Sequence, residues 1–153
     1  MTYAEALQEL DALYATLPTI TCQRRCQVVC GLIILTKMEW LQITRRLGYR
    51  PHGKADCVCP MLKQGRCSVH AIRPTICRLW GVTDIMPCPW GCQPDRWLTE
   101  VESDLLLAQV EALSAQLFPD SPATAYSHGL TPADIPQYVA VARAQGHIKE
   151  PRP

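Results

Sequence analysis

Nine cysteines fall between residues 22 and 92, and none follows. They come as Cys22, Cys26 and Cys30, then Cys57, Cys59, Cys67 and Cys77, then Cys88 and Cys92. A free cysteine is most often a small buried hydrophobe, but packing gives no reason for nine to crowd into one part of a chain. Thiolates converging on a metal do give one. On a regular helix the α-carbons of Cys22 and Cys30 would stand ~12 Å apart at a rise of ~1.5 Å per residue. A tetrahedral zinc with bonds of ~2.3 Å needs its sulfurs within about 4 Å of one another. The triplet therefore lies in a loop, serves two metals, or binds something larger than one ion. An iron–sulfur cluster spreads its thiolates further, because each binds a different iron.

Zinc modules pair cysteines at gaps of about two to four residues in two separated halves. Cys22/Cys26 and Cys88/Cys92 fit such a gap, whereas Cys57/Cys59 and Cys67/Cys77 do not. One shared centre and two zinc sites both stay open on spacing alone. His70, between Cys67 and Cys77, is the histidine best placed to stand in for a thiolate; His52, His128 and His147 are less so. Arg73 and Arg78 flank Cys77 and could hold the cofactor, since thiolates around a divalent metal carry net negative charge that guanidinium donors offset. Trp80, Trp90 and Trp97 are expected to shield the site from water.

The elements that must position these residues are mostly helical. Leu7, Leu10, Tyr14 and Leu17 recur at helical spacing over residues 3–16, and Pro18 ends the run. Gly31 to Leu35 is a short apolar stretch, either a brief strand or packed coil. Thr36 and Glu39 have capping-box form and open a helix whose inner face is expected to be Trp40, Leu41, Thr44 and Leu47, stopped at Gly48. From Tyr49 to Gln93 proline and glycine recur without periodicity, so this part needs crosslinks to hold its shape. One short helix is expected there, with Pro74 at its first position and Gly81 at its end. Thr99 and Glu102 open a long helix to about Phe118, with Val101, Leu105, Ala108, Ala112 and Leu113 as its buried stripe. Residues 119–130 are expected as a linker, 135–145 as a last helix, and 149–153 as a frayed tail.

The fold class that follows is mainly α, a small helical domain around an irregular, metal-stapled centre. Residues 1–118 form the cysteine-cluster part with its packing helices, and 119–153 the linker, short helix and tail of the same unit. Fifteen basic against fourteen acidic residues leave a net charge of +1, so no global field favours nucleic acid or an anionic membrane. Met1 to Glu5 has neither a basic nor an apolar region of a signal peptide, and no apolar run approaches the ~20 residues that span a bilayer. A cytoplasmic setting is expected, where thiols stay reduced. No glycine-rich phosphate loop, nucleotide fingerprint or Ser/His/Asp constellation is present. Asp56, Asp84 and Asp95 are the few acids near the cysteines, and no basic tail or helix-turn-helix marks a cluster-bearing transcriptional regulator.

Cys59-Pro60-Met61-Leu62, followed by Cys67-x-Val69-His70-x-x-Arg73-Pro74-x-x-Cys77-Arg78, resembles the YkgJ-type cysteine-cluster family of zinc- or iron-chelating proteins. The resemblance covers roughly residues 22–80. It implies Cys22, Cys26, Cys30, Cys59, Cys67 and Cys77 as ligands. Three features depart from the family pattern: Gly31 follows Cys30 where a second cysteine is common, His70 replaces tyrosine, and Cys57, Cys88 and Cys92 lie outside the pattern. The last three are candidates for a second site or the mark of a subfamily. A related cysteine-rich region occurs in flagellin lysine methylases, where an iron–sulfur cluster is implicated. The expected function is a metal-binding protein holding a 4Fe-4S-type cluster or zinc, in a structural, redox or sensory role. The alternative is a metal-dependent enzyme of group transfer, such as protein methylation, or of redox chemistry. The expected partner is the metal or cluster, with a protein partner left open.

Overall fold

The computed structural model describes residues 1–121 and 124–148, the side chain of Cys26 excepted. Among them are five α-helices and two small antiparallel sheets. The mainly helical expectation holds at that level. The expected tail at 149–153 lies outside the described residues.

Three helices begin at reciprocal capping boxes. Thr2 caps α1 (Tyr3–Ala15), Thr36 caps α2 (Lys37–Leu47) and Thr99 caps α4 (Glu100–Leu117), each paired with a glutamate three residues on. Each box satisfies amide donors that a helix start otherwise leaves orphaned. Gly48 ends α2 in the left-handed region at φ 74°, its N–H bonded to the Thr44 carbonyl. The short α3 (Thr75–Leu79) follows Pro74, which stands at the N-cap, not at the first helical position. The last helix, α5, is Ile135–Ala144.

Helix α2 divides two apolar clusters. On one side Ala6 and Leu10 of α1, Met38 of α2, Leu79 of α3 and Leu106, Val110 and Leu113 of α4 pack together with Val82 and Leu98. On the other, Ile43 packs with Leu35, Cys59, Met61 and Val69, and Cys30 and Cys67 lie against them. Three of the cysteines are thus rooted in a core. The inner face of α2 differs from the expected one: Met38, Glu39 and Ile43 are fully buried, while Trp40, Leu41, Thr44 and Leu47 are only half-buried.

The buried face of α4 also differs. Val101 and Leu105 are 76% and 58% exposed, Ala108 and Ala112 are exposed, and only Leu113 of the expected stripe is inside. The residues buried are Ser103, Leu106, Val110, Leu113 and Ser114. Two hydroxyls face inward among them, and only that of Ser114 bonds another element. Ser114 Oγ accepts the Met38 N–H at 3.2 Å, and Ser103 Oγ donates to the Thr99 carbonyl at 3.0 Å. Neither is left unpaired, so both serines are tolerated inside.

The expected linker at 119–130 contains a strand. β4 (Thr124–Tyr126) pairs antiparallel with β1 (Ile34–Thr36), Leu35 opposite Ala125. The pairing continues into Ser127, whose N–H donates to the Ile33 carbonyl and whose Oγ accepts the Ile33 N–H. The second sheet is a hairpin of β2 (Leu62–Lys63) and β3 (Arg66–Cys67). Gln64 and Gly65 turn it with φ of 50° and 74°, the two consecutive positive values that a tight two-residue hairpin requires. No described helix is long and apolar enough to cross a membrane.

Candidate metal centre

Six of the cysteines, Cys22, Cys30, Cys59, Cys67, Cys77 and Cys88, line one cleft of about 130 Å³. Each arrives by a different local device. Residues 22–30 are not a regular helix: a single 3-10 turn at Cys26–Val29 delivers Cys30 to the cleft. The Cys59 N–H donates to the Cys30 carbonyl at 3.0 Å and locks those two residues side by side. The hairpin sets Cys67 opposite Leu62, three residues after Cys59. Cys77 stands on α3.

Residues 19–25 are strapped to residues 90–95. Thr19 and Asp95 exchange backbone and side-chain hydrogen bonds at 2.9 and 3.0 Å. Trp90 Nε1 donates to the Arg25 carbonyl at 2.6 Å, and the Arg25 guanidinium lies 4.2 Å from the Trp90 ring centroid. This strap brings Cys22 and Cys88 to the same rim.

Four of the thiols form a mutually interacting set. Burial pushes the Cys77 thiol well above its ordinary range, and the nearby Cys59, Cys67 and Cys30 push it further, against Arg73. Burial, with Cys59 and Cys67, raises Cys30 to about 11. Cys59 is raised by burial and by Cys67, while the Met61 and Leu62 N–H groups directed at its sulfur pull the other way. Every pair among Cys30, Cys59, Cys67 and Cys77 is therefore close enough for one negative charge to oppose the other. Without a cation Cys30, Cys59 and Cys77 resist ionising.

Arg73 lines the cleft. Burial and Arg78 lower its proton affinity, whereas Cys22, Cys77 and Cys67 raise it, and its Nη1 donates to the His70 carbonyl at 3.0 Å. It is the guanidinium placed to offset thiolate charge. Arg78 does not line the cleft; it donates to the Arg73 and Ala71 carbonyls at 2.9 and 3.0 Å and stacks 4.0 Å from the Tyr14 ring centroid. His70 lines the cleft, and burial, with Arg73, Arg24 and Arg78 nearby, lowers its pKa to about 4. It is a neutral imidazole at neutral pH. Trp80 forms part of the wall, while Trp90 and Trp97 stand outside it.

The remaining candidates sit elsewhere. Cys57 faces α5: its N–H donates to Tyr138 Oη at 3.0 Å, and that hydroxyl donates to the Lys54 carbonyl at 3.2 Å. Cys92 adjoins Cys88 without lining the cleft. Burial raises the Cys88 thiol, but hydrogen bonds from Trp90 and Cys92 outweigh it and leave the thiol below its ordinary range. The Cys26 side chain lies outside the described residues.

Sequence reasoning missed the apolar wall made by Met61, Val69, Ile76 and Pro74, and the Gln64-Gly65 hairpin turn that aims Cys67. The glycine in that turn was the available signal. Comparison of the chain with family models, curated proteins and solved structures finds no match.

Proposed function

We propose that this chain is a metal-binding protein whose centre is held by Cys30, Cys59, Cys67 and Cys77, and that the group held is a 4Fe-4S-type cluster. The observation that carries the reading is the convergence of these four thiols, from four separate segments, on one cleft where burial and neighbouring thiols raise Cys30, Cys59 and Cys77 above their ordinary range. A bound cation reverses that shift and ties the four segments together. All four are among the six cysteines that the resemblance to the YkgJ-type family implies as ligands.

The cleft size favours a cluster over zinc. Its volume of about 130 Å³ is roughly ten times the ~10–15 Å³ that admits a single water, more room than an ion with thiolate bonds of ~2.3 Å leaves. A bound cluster would supply one-electron chemistry or a redox-sensitive crosslink. The chain's own residues would bind it, with Arg73 offsetting its negative charge and Met61, Val69 and Ile76 keeping water from the sulfurs. The role that follows is structural, redox or sensory.

The test is anaerobic purification with iron and sulfide in good supply, followed by metal and sulfide analysis and a visible spectrum. Stoichiometric iron and sulfide, with a brown colour that bleaches on reduction, is the expected result. A colourless preparation carrying stoichiometric zinc would replace the cluster by zinc at the same thiolates. Neither metal above trace would overturn the proposal.

A further inference from the structure

Beside the thiol cleft lies a second, polar one of about 450 Å³. Arg24, Arg25 and Arg66 line it, together with Gln27, Gln64 and His70, and no aspartate or glutamate is among its lining residues. The chain as a whole has almost equal numbers of acidic and basic side chains, so the segregation here is local. Three guanidiniums gathered without a counter-charge raise the free energy of the empty cleft, and an anion lowers it.

The backbone around the cleft is shaped by local contacts before any ligand arrives. Arg25 stacks on Trp90, whose indole N–H bonds the Arg25 carbonyl. Arg24 takes a backbone φ of 56°, rare for a side chain other than glycine or asparagine, and its N–H donates to Cys22 Sγ at 3.3 Å. Arg66 follows the tight turn at Gln64-Gly65, and a β-carbon on Gly65 would stand 3.2 Å from Gln27 Oε1. The hairpin tip and the 22–30 segment thus meet closely across the cleft. Donor forks with amide neighbours match the oxygens of carboxylate and phosphate, which arginine binds through two parallel hydrogen bonds.

We propose that this cleft binds a small oxyanion ligand, a carboxylate- or phosphate-bearing molecule, between Arg24 and Arg66 and against Cys67 and His70. Its volume lies within the ~300–1,000 Å³ usual for small-molecule sites. Its arginine donors come from side chains outside the proposed ligand set, and Cys67 and His70 border both clefts.

The test is isothermal titration of the full chain, its metal content recorded, with inorganic phosphate and with succinate at fixed ionic strength in chloride. Saturable binding of at least one is expected, and the arm that binds names the ligand class. An Arg24→Gln, Arg66→Gln double variant should weaken it at least tenfold, while Arg46→Gln, Arg143→Gln, at exposed arginines elsewhere, should leave it unchanged. Should the first variant not fold, phenylglyoxal modification of the wild type is the second measurement: the bound anion should protect Arg24 and Arg66 selectively. No saturable binding of either anion, or equal weakening by both double variants, or protection spread evenly over all arginines, would overturn the proposal.

Discussion

Glu39 receives two hydrogen bonds from Thr75, one from its backbone N–H and one from its hydroxyl, each 2.6 Å long. The same buried carboxyl group accepts from Tyr14 Oη at 2.8 Å and from the Thr36 N–H and hydroxyl at 2.7 and 2.9 Å. One side chain therefore joins the end of α1, the start of α2 and the first residue of α3. Helix α3 carries Cys77 two residues further on, so the network behind the cleft fixes a thiol in front of it.

Glu39→Gln should consequently damage both stability and the site. An amide keeps one acceptor oxygen, and its NH₂ is set against donors. Leaving a buried donor unsatisfied costs about 1–3 kcal/mol, and for a chain of this size each kcal/mol lowers Tm by about 2–4 °C. Thermal melts and metal content should fall together. Wild-type values of both would show that the network does not hold α3.

Thiol roles can be separated by serine substitution. Cys77→Ser and Cys59→Ser should each lose most of the bound metal and melt lower, because each removes one corner of the interacting set. Cys57→Ser should keep its metal, since that residue faces Tyr138. Metal analysis of the three variants decides the matter. Full metal in Cys77→Ser, or loss in Cys57→Ser, would redraw the site.

The α4 orientation makes a paired test. Leu106→Ala should cost about 2–5 kcal/mol as a core truncation. Leu105→Ala, at a side chain 58% exposed, should stay within about 0.5 kcal/mol of wild type. Denaturant unfolding of the two variants measures both, and a larger loss for Leu105 would restore the stripe expected from the sequence.

That stripe shows where sequence reading stops. Leu105, Leu106 and Leu107 are consecutive, so apolar residues occupy more than one side of α4 and spacing alone does not choose the phase. Ser114 marks the phase, because its inward hydroxyl accepts the Met38 N–H, a partner present only in the folded chain. The capping boxes at Thr36 and Thr99 were legible because they are local. The second use of Glu39 was not, because Thr75 lies thirty-six residues away in sequence. The concentration of thiols was legible too. Which four come together follows from the Cys59 N–H bonded to the Cys30 carbonyl and from the hairpin at Gln64-Gly65, and neither leaves a periodic signal.

Acid should destabilise the fold through His128, which is 1% exposed. Its Nδ1 lies 3.1 Å from Ser127 Oγ, its ring meets Tyr138 edge-on at 5.3 Å between centroids, and its Nε2 is buried with no partner among the described residues. A β-carbon at Gly53 would stand 1.8 Å from the ring, so glycine is what lets this loop close over it. Burial holds the imidazole below its ordinary pKa, against the opposing pull of Asp56 and Val58. Between the lowered folded pKa and the unfolded value of about 6.5, the unfolded chain binds more protons. Stability should therefore be complete above about pH 6.5, fall as pH drops below it, and stop falling from this cause once the folded pKa is passed. His70 acts in the same direction. Glu5, Glu102 and Asp134, held below their usual range by hydrogen bonds with capping threonines, lose stability only at more acid pH, near and below about 4.5. Wild type and His128→Asn are to be compared at equal metal content, so that any acid release of metal affects both alike. The difference in Tm between pH 7 and pH 5 should be smaller in the variant, and an unchanged difference would show that His128 does not set the acid limb.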